Sequence, residues 1–230
     1  MYTRPGPELV EELRSGHLGE TLEIAIGDHP SSQRLSAAAA ALRLLLRPDR
    51  REATASAAVV QFDRLFPPAG KLAAPPYEAE YGPAHIFQKA DLLADVAGFY
   101  RAFSLELGSA AKERPDHLAL ELEFLGFLLE KEAYALLQAD SELATLTAEA
   151  RGKFVTSHLG CWVGGFARAL AREMPPPLYQ AWTAFLEAVV AAEVELAGRP
   201  LESVRTDLTP NKLPEGMGGF CIGAPMIGPG

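Results

Sequence analysis

The tetrapeptide Arg114-Pro115-Asp116-His117, followed by Glu121, gathers ionisable groups at the head of a leucine-rich run. Proline disfavours helical backbone in the residue before it, so a helix is expected to begin at Pro115 or Asp116. An acidic side chain there can accept hydrogen bonds from first-turn amides and complements the positive helix end. His117 and Glu121 are four apart, hence neighbours on the helix surface, and both fall inside the apolar arc beside Phe124, Leu125 and Leu128. A carboxylate among leucines needs a partner, because its desolvation is costly. His117, or an arginine from another helix, would supply one. Two readings stay open: a satisfied polar contact that fixes helix register, or a polar pocket at a loop–helix junction placed to receive something. A rival of another class uses His117 and Glu121, with His85 or His158, as the acid–base or metal-binding groups of a small hydrolase.

The second candidate region is Tyr77-Glu78-Ala79-Glu80-Tyr81-Gly82-Pro83. Aromatic and acidic side chains together suit a peptide carrying arginine and apolar residues, through charge-assisted bonds and stacking. The alternative is a solvated loop with one tyrosine tucked inward. Cys161 lies three residues after His158, a spacing that could activate a thiolate on a helix. The simpler expectation is that both line a helix–helix contact. Neither Glu-x-x-His nor H-E-x-x-H occurs, and the P-loop, dinucleotide-binding and G-x-S-x-G patterns are also missing. No catalytic residue, metal ligand or cofactor is therefore assigned.

The chain that must position these groups has 230 residues, 48% hydrophobic and 22% charged, an ordinary globular composition. Lys and Arg total 21 against 30 Asp and Glu, a net charge of −9. That field repels phosphate backbones and attracts basic peptides, so nucleic acid is not expected as a partner. Two cysteines, Cys161 and Cys221, cannot build a disulfide framework. The opening residues lack the apolar core of a secretory signal, and no long apolar stretch follows. A cytoplasmic protein without stable membrane association is expected.

Proline, glycine and charge punctuate a series of helical stretches. Helices are expected over 7–15, ended by Gly16; over 33–46, capped by Ser31-Ser32 and stopped by Arg47-Pro48; and over 49–65, closed by Pro67-Pro68. Residues 67–80 read as an irregular connection. The stretch 83–105 is amphipathic, with Ile86, Leu93, Val96, Phe99, Tyr100 and Phe103 on one face and Asp91, Asp95, Gly98 and Arg101 opposite. The stretch 116–138 is apolar nearly all round, which places it in the middle of a bundle. Helices over 142–172, with a possible break at Gly164-Gly165, and 178–197 complete about seven or eight. The Gly/Pro-rich tail 209–230 cannot sustain a helix.

The run RPDHLALELEF at 114–124 closely resembles the "(E/R)PDHLALELEF" signature of the TorD/DmsD/NarJ chaperones. The likeness extends upstream, through Glu78–Gly82 and Phe99-Tyr100-Arg101-Ala102-Phe103. It also extends downstream, through Phe154-Val155-Thr156-Ser157-His158-Leu159 with Trp162 and Phe166. Order and spacing match in three blocks across roughly residues 75–197, while the first 70 residues match only in being helical. The resemblance implies an all-α, single-domain bundle of the TorD-like type over 1–208, followed by the tail 209–230. It implies a chaperone that is not an enzyme, binding the twin-arginine leader or apo form of an immature molybdopterin-containing catalytic subunit before cofactor insertion and export. The client is expected to be a nitrate reductase or a dimethylsulfoxide-reductase-type dehydrogenase, and the chain a monomer or homodimer. Carried over by position, Tyr77, Glu80, Tyr81, Phe87 and Tyr100 fall in the region implicated in peptide binding. Arg114, Asp116 and His117 form a hinge-like junction between two halves of the bundle, with Glu121 beside it. Guanine-nucleotide binding is associated with some members, but nothing in this sequence supports it independently.

An apolar groove between the 83–105 and 116–138 helices, with acidic residues at its mouth, is the expected binding surface. Position 114 is Arg where several members carry an acid, so a salt bridge at that site is expected to be reversed or absent. The tail, with Met217-Gly-Gly-Phe-Cys-Ile-Gly-Ala-Pro-Met, lies outside the family pattern and looks like a client peptide. It is expected to fold back over the groove or reach a neighbouring molecule. A structural subunit retained in the mature enzyme is a further alternative.

Overall fold

The computed structural model describes residues 4–27, 32–82, 86–108 and 113–206; the tail 209–230 and His85 lie outside them. Helix α1 (Pro7–Ser15) begins with proline at its first position, where no amide is missed, and ends on Gly16 at φ 88°. Helix α2 (His17–Gly27) follows at once and was not expected. Helices α3 (Ser32–Leu45) and α4 (Arg51–Leu65) come next, then a single 3-10 turn (Glu78–Glu80) and α5 (Ile86–Ala102). The second half holds α6 (Leu118–Leu137), α7 (Ser141–Ser157), α8 (Leu159–Arg172) and α9 (Pro177–Ala197). Among the described residues the only β pairing is an isolated bridge between Tyr77 and His117, so the protein is an all-α, single-domain bundle.

Helix α1 packs on α4, α3 lies along α9, and α7, α8 and α9 pack on one another. Their shared interior holds Phe154, Trp162, Phe166 and Tyr179, all fully buried. The Tyr179 hydroxyl donates to the Ala58 carbonyl at 3.1 Å, which ties α9 to α4. Burying a tyrosine with its hydroxyl satisfied keeps the apolar gain without a desolvation cost.

Two expectations needed correction. Gly164-Gly165 do not break a helix: the break falls at His158, whose φ −119° and ψ −94° separate α7 from α8. There Thr156 and Ser157 hydroxyls donate to the carbonyls of Gly152 (2.9 Å) and Lys153 (2.7 Å). Such back-bonding competes with the regular ladder and bends helices. Helix α6 is also not enclosed. Its chief neighbour is α7, and Leu129, Tyr134, Leu136 and Leu137 stand exposed. Leu118, Phe124, Leu125 and Leu128 are buried as expected, but among the described residues the face bearing Leu129, Tyr134, Leu136 and Leu137 stays exposed.

Candidate functional site

The loop before α5 is clipped onto the start of α6 by backbone. The Glu78 amide donates to the Asp116 carbonyl at 3.0 Å, and the Leu118 amide donates to the Pro76 carbonyl at 2.9 Å. Asp116, wholly buried, accepts the Ala79 amide at 2.9 Å and both arms of the Arg114 guanidinium at 2.8 and 2.9 Å. Its side chain thus holds the neighbouring loop instead of capping its own helix. The cap is His117, whose Nδ1 accepts the Ala119 amide at 3.2 Å and so carries no proton there. Burial pulls the His117 pKa down, in keeping with a neutral ring.

Arg114 ties the loop further. It reaches Glu80 at 3.0 Å and lies 4.4 Å over the Tyr77 ring, while Lys89 on α5 takes the other Glu80 oxygen at 3.0 Å. Burial opposes ionisation of Glu80, yet the hydrogen bonds from Lys89 and Arg114 leave its pKa below the ordinary value. An arginine at 114 therefore supports a salt bridge to Asp116 and Glu80, with the cation supplied by residue 114 itself. The Tyr77 hydroxyl donates to Glu113 at 2.5 Å, and burial followed by that bond pushes its pKa up to about 12. The Tyr81 and Tyr100 hydroxyls donate to the Pro75 and Pro115 carbonyls at 2.9 and 2.8 Å, so both tyrosines are anchors of the junction. Burial raises the pKa of both.

Glu121 is fully buried, as Asp116 is, and among the described residues it pairs with neither His117 nor an arginine. Its Oε2 accepts the Trp162 indole N–H at 3.1 Å, and Oε1 has no hydrogen-bond donor. Burial, then the charge of Glu78, pushes its pKa well above the carboxylate range. The neutral acid is favoured and can donate to Glu78. Glu78, also fully buried, receives Arg205 Nη1 at 2.5 Å on one oxygen and faces His158 Nδ1 at 3.0 Å with the other. Asp95 comes within 3.4 Å of His158 Nε2, a nitrogen that makes no hydrogen bond among the described residues. The Cys161 thiol donates to the Thr156 carbonyl at 3.1 Å, while His158 is turned to Glu78, so the pair is structural.

Three recesses surround this core. An apolar groove of about 730 Å³ lies beside the C-terminal end of α5 and α6, with Tyr100, Leu105, Phe124 and Phe127 on its walls and Glu106, Glu123 and Glu130 around it. A second, of about 670 Å³, brings Tyr77 and His117 to Phe66, Pro67 and Pro68. A third, of about 350 Å³, has Tyr81, Lys89 and Arg205 on its walls. Of the eight residues expected at the binding surface whose side chains are described, Tyr100 alone borders the acidic groove, and Asp116 and Glu121 are inaccessible from outside. Phe87 lies on α5 with its side chain outside the described set. Sequence reasoning placed Glu78 in the acidic loop without foreseeing its buried partners, and it did not single out Trp162 or Arg205 as members of this cluster. Glu78 and Trp162 sit in the matched blocks, but Arg205 follows them and carried no signal. Among the described residues no group of His, Cys, Asp and Glu is arranged to hold a metal, and no helix is long and apolar enough to cross a membrane.

The family profile described as nitrate reductase delta subunit matches residues 28–168, which takes in the Glu78 loop, the α6 block and His158 with Trp162. The chain belongs to the nitrate reductase delta subunit family. Within curated relatives it is similar to a perchlorate reductase assembly chaperone protein of Dechloromonas aromatica (strain RCB). That match is 34% identical over 105 residues, 44% of this chain and 46% of the relative. It is also 35% identical over 79 residues to a chlorate reductase assembly chaperone protein of Ideonella dechloratans, covering 34% of this chain and 40% of the relative. A selenate reductase assembly chaperone protein of Thauera selenatis gives the same identity and coverage over 79 residues. The matched stretch spans less than half the length of each relative. No solved structure matches this member of the family. Its Arg205 lies beyond the residues that the family profile matches.

Proposed function

We propose that this chain is a cytoplasmic assembly chaperone. It binds the leader or another arginine-bearing apolar segment of an immature molybdopterin-containing catalytic subunit, and it catalyses no reaction. The observation that carries this reading is the groove beside α5 and α6: aromatic and leucine side chains form its walls, and Glu106, Glu123 and Glu130 are exposed around it. An apolar trough with anionic edges suits a peptide that alternates basic and apolar residues, in the helix- or strand-in-groove mode. The similarity to assembly chaperone proteins of perchlorate, chlorate and selenate reductases supports a client of that oxidoreductase class. In this reading the Asp116–Arg114–Glu80 cluster is a hinge clamp that sets the groove's shape, and Tyr77, Tyr81 and Tyr100 hold it in register.

The test is calorimetric titration of the full chain with leader and N-terminal peptides of molybdoenzyme catalytic subunits, at low and moderate salt. Saturable binding that weakens in Phe127→Ala supports the reading. A folded protein that binds none of these peptides removes it. Stoichiometric recovery of the chain with fully active enzyme would instead make it a retained structural subunit.

A further inference from the structure

After α9 the chain doubles back. Gly198 ends the helix at φ 61°, and residues 199–206 run without regular structure across the α7–α8 break. The Glu202 amide donates to the Thr156 carbonyl at 3.1 Å and the Arg205 amide to the Cys161 carbonyl at 2.7 Å. The Ser157 hydroxyl, whose one proton is shared with the Lys153 carbonyl, lies 3.0 Å from a Glu202 carboxylate oxygen. The Thr156 carbonyl belongs to the last turn of α7, where carbonyls lack helical partners, and the strap amide joins the Cys161 thiol in satisfying it.

The strap carries a guanidinium onto a buried carboxylate. Arg205 Nη1 is 2.5 Å from Glu78 Oε1, and the Glu78 side chain is completely buried while that of Arg205 is 18% exposed. The surroundings are shaped to this one residue. A methyl group at Gly165 would lie 2.5 Å from the Arg205 carbonyl oxygen, and one at Gly82 would lie 3.1 Å from Arg205 Cδ. Gly82 also sits at φ 101°, which favours glycine. His158 meets the other Glu78 oxygen at 3.0 Å, and Glu121 is buried in the same polar cluster. Val204 and Arg205 form one wall of the recess that Tyr81 and Lys89 line on the other side, so the strap lies at its edge.

We propose that Glu78 is the floor of an arginine-binding site, which Arg205 fills in cis and which an arginine side chain of the client segment fills when residues 199–206 lift away. The proposal rests on the chaperone reading above and adds to it a specific anchor and an internal competitor. Lifting the strap into water would strip a buried carboxylate of its guanidinium and leave His158 on one oxygen as its remaining partner, which is unfavourable. Exchanging one guanidinium for another leaves it paired throughout. The strap therefore yields to an arginine and resists an apolar peptide that lacks one, which is selectivity through the cost of the wrong partner. Because the cis arginine is tethered, its effective concentration is high, and it lowers the apparent affinity of every client that must displace it.

The test has two arms, both on the full chain. In the first, thermal unfolding of Arg205→Ala is followed with added millimolar N-methylguanidine or, as a neutral control, N-methylurea. The guanidinium compound should raise the melting temperature of the variant and leave the wild type unmoved, and the urea should do neither. No difference between the two additives overturns the site. In the second arm, a twin-arginine leader peptide and the same peptide with citrulline for arginine are titrated calorimetrically. Arg205→Ala should bind the arginine peptide about tenfold or more tightly than the wild type, with no gain for the citrulline peptide. Equal binding of the arginine peptide by both proteins overturns the exchange while leaving the chaperone reading intact. Binding of neither peptide by either protein removes the chaperone reading, and with it the client as occupant. Should Arg205→Ala fail to fold, Gly165→Ala, which pushes on the strap backbone, provides the same peptide comparison.

Discussion

The indole N–H of Trp162 meets the carboxyl of Glu121 at 3.1 Å, across 41 residues of chain. One bond thereby joins the RPDHLALELEF helix to the helix after the His158 break, and it gives a buried acid its only hydrogen-bond donor among the described residues. Around it Glu78, His158 and Arg205 form a second layer, so the junction between loop, α6 and α8 is held by a polar cluster inside an apolar shell. Such clusters are costly when incomplete, and their consequences can be measured.

Glu121→Gln should flatten part of the pH dependence of stability. The folded pKa of Glu121 lies well above 4.5 because of burial and the charge of Glu78. Below about pH 4.5 both folded and unfolded chains keep the proton, and the group exacts no cost. As the pH rises the unfolded chain releases its proton first, so stability falls until the raised folded pKa is passed. Glutamine keeps the acceptor for Trp162 and a donor for Glu78 without titrating. Urea unfolding from about pH 4.5 to about pH 8 should show the variant gaining on the wild type by about 1.4 kcal/mol for each unit of pKa shift removed. Parallel curves would contradict the assignment.

Arg114 and Asp116 should prove strongly coupled. Arg114→Ala leaves a fully buried carboxylate with the Ala79 amide as its remaining hydrogen-bond donor. Because the Arg114 side chain is 40% exposed, water reaching the gap discounts the cost to about 2 kcal/mol. Asp116→Asn keeps an acceptor for Ala79 and should cost about 1 kcal/mol. The double variant should be more stable than the sum of the two by about 1 kcal/mol, measured by chemical unfolding as a double-mutant cycle. Simple additivity would mean that the ion pair contributes nothing.

The glycines of α8 should respond in opposite directions. A methyl group at Gly160 would lie 2.7 Å from Leu201 and 2.9 Å from the Val155 carbonyl oxygen, so Gly160→Ala should destabilise by about 1–3 kcal/mol. At Gly164 the nearest atom is an Arg168 nitrogen at 3.5 Å, ordinary contact. Gly164→Ala should therefore stabilise by about 0.5–1 kcal/mol through helix propensity. Melting temperatures moving the same way for both would contradict the packing described around residue 160.

Charge reversal on the groove should alter client affinity with little effect on the fold. Glu123 and Glu130 are exposed on α6, so Glu123→Lys with Glu130→Lys should leave the unfolding midpoint nearly unchanged. Affinity for a leader peptide with two arginines should drop several-fold at low salt, and the loss should shrink at high salt as screening sets in. Unchanged affinity at low salt would place the peptide elsewhere.

Punctuation made much of the fold legible. Gly16, Pro48, Pro67-Pro68 and Pro175-Pro176-Pro177 mark ends that a chain cannot cross as helix, and α1, α3, α4 and α9 stop or start within a few residues of them. Helix α2 escaped notice because it contains Gly19 and Thr21, both poor helix formers, and follows Gly16 without a linker. It is held by its packing on α1 and α3, which is a tertiary effect. The helix break was misplaced for a related reason: Gly164-Gly165 carry a breaking signature, but the bend comes from hydroxyl back-bonding at Thr156 and Ser157.

By itself the sequence determined the helical class, most helix ends, the burial of Glu121 and the loop–helix junction at Arg114-Pro115-Asp116-His117. All of these follow from periodicity and backbone chemistry over a few consecutive residues. Only the tertiary structure decided which groups meet: Trp162 with Glu121, His158 with Glu78 at a separation of 80, and Arg205 with Glu78 at a separation of 127. It also decided that Gly165 faces a strap and Gly164 does not. The physical reason is that a buried polar group is satisfied by whatever the crossing of two elements brings within about 3 Å. That crossing is set by the whole core, which no local pattern encodes.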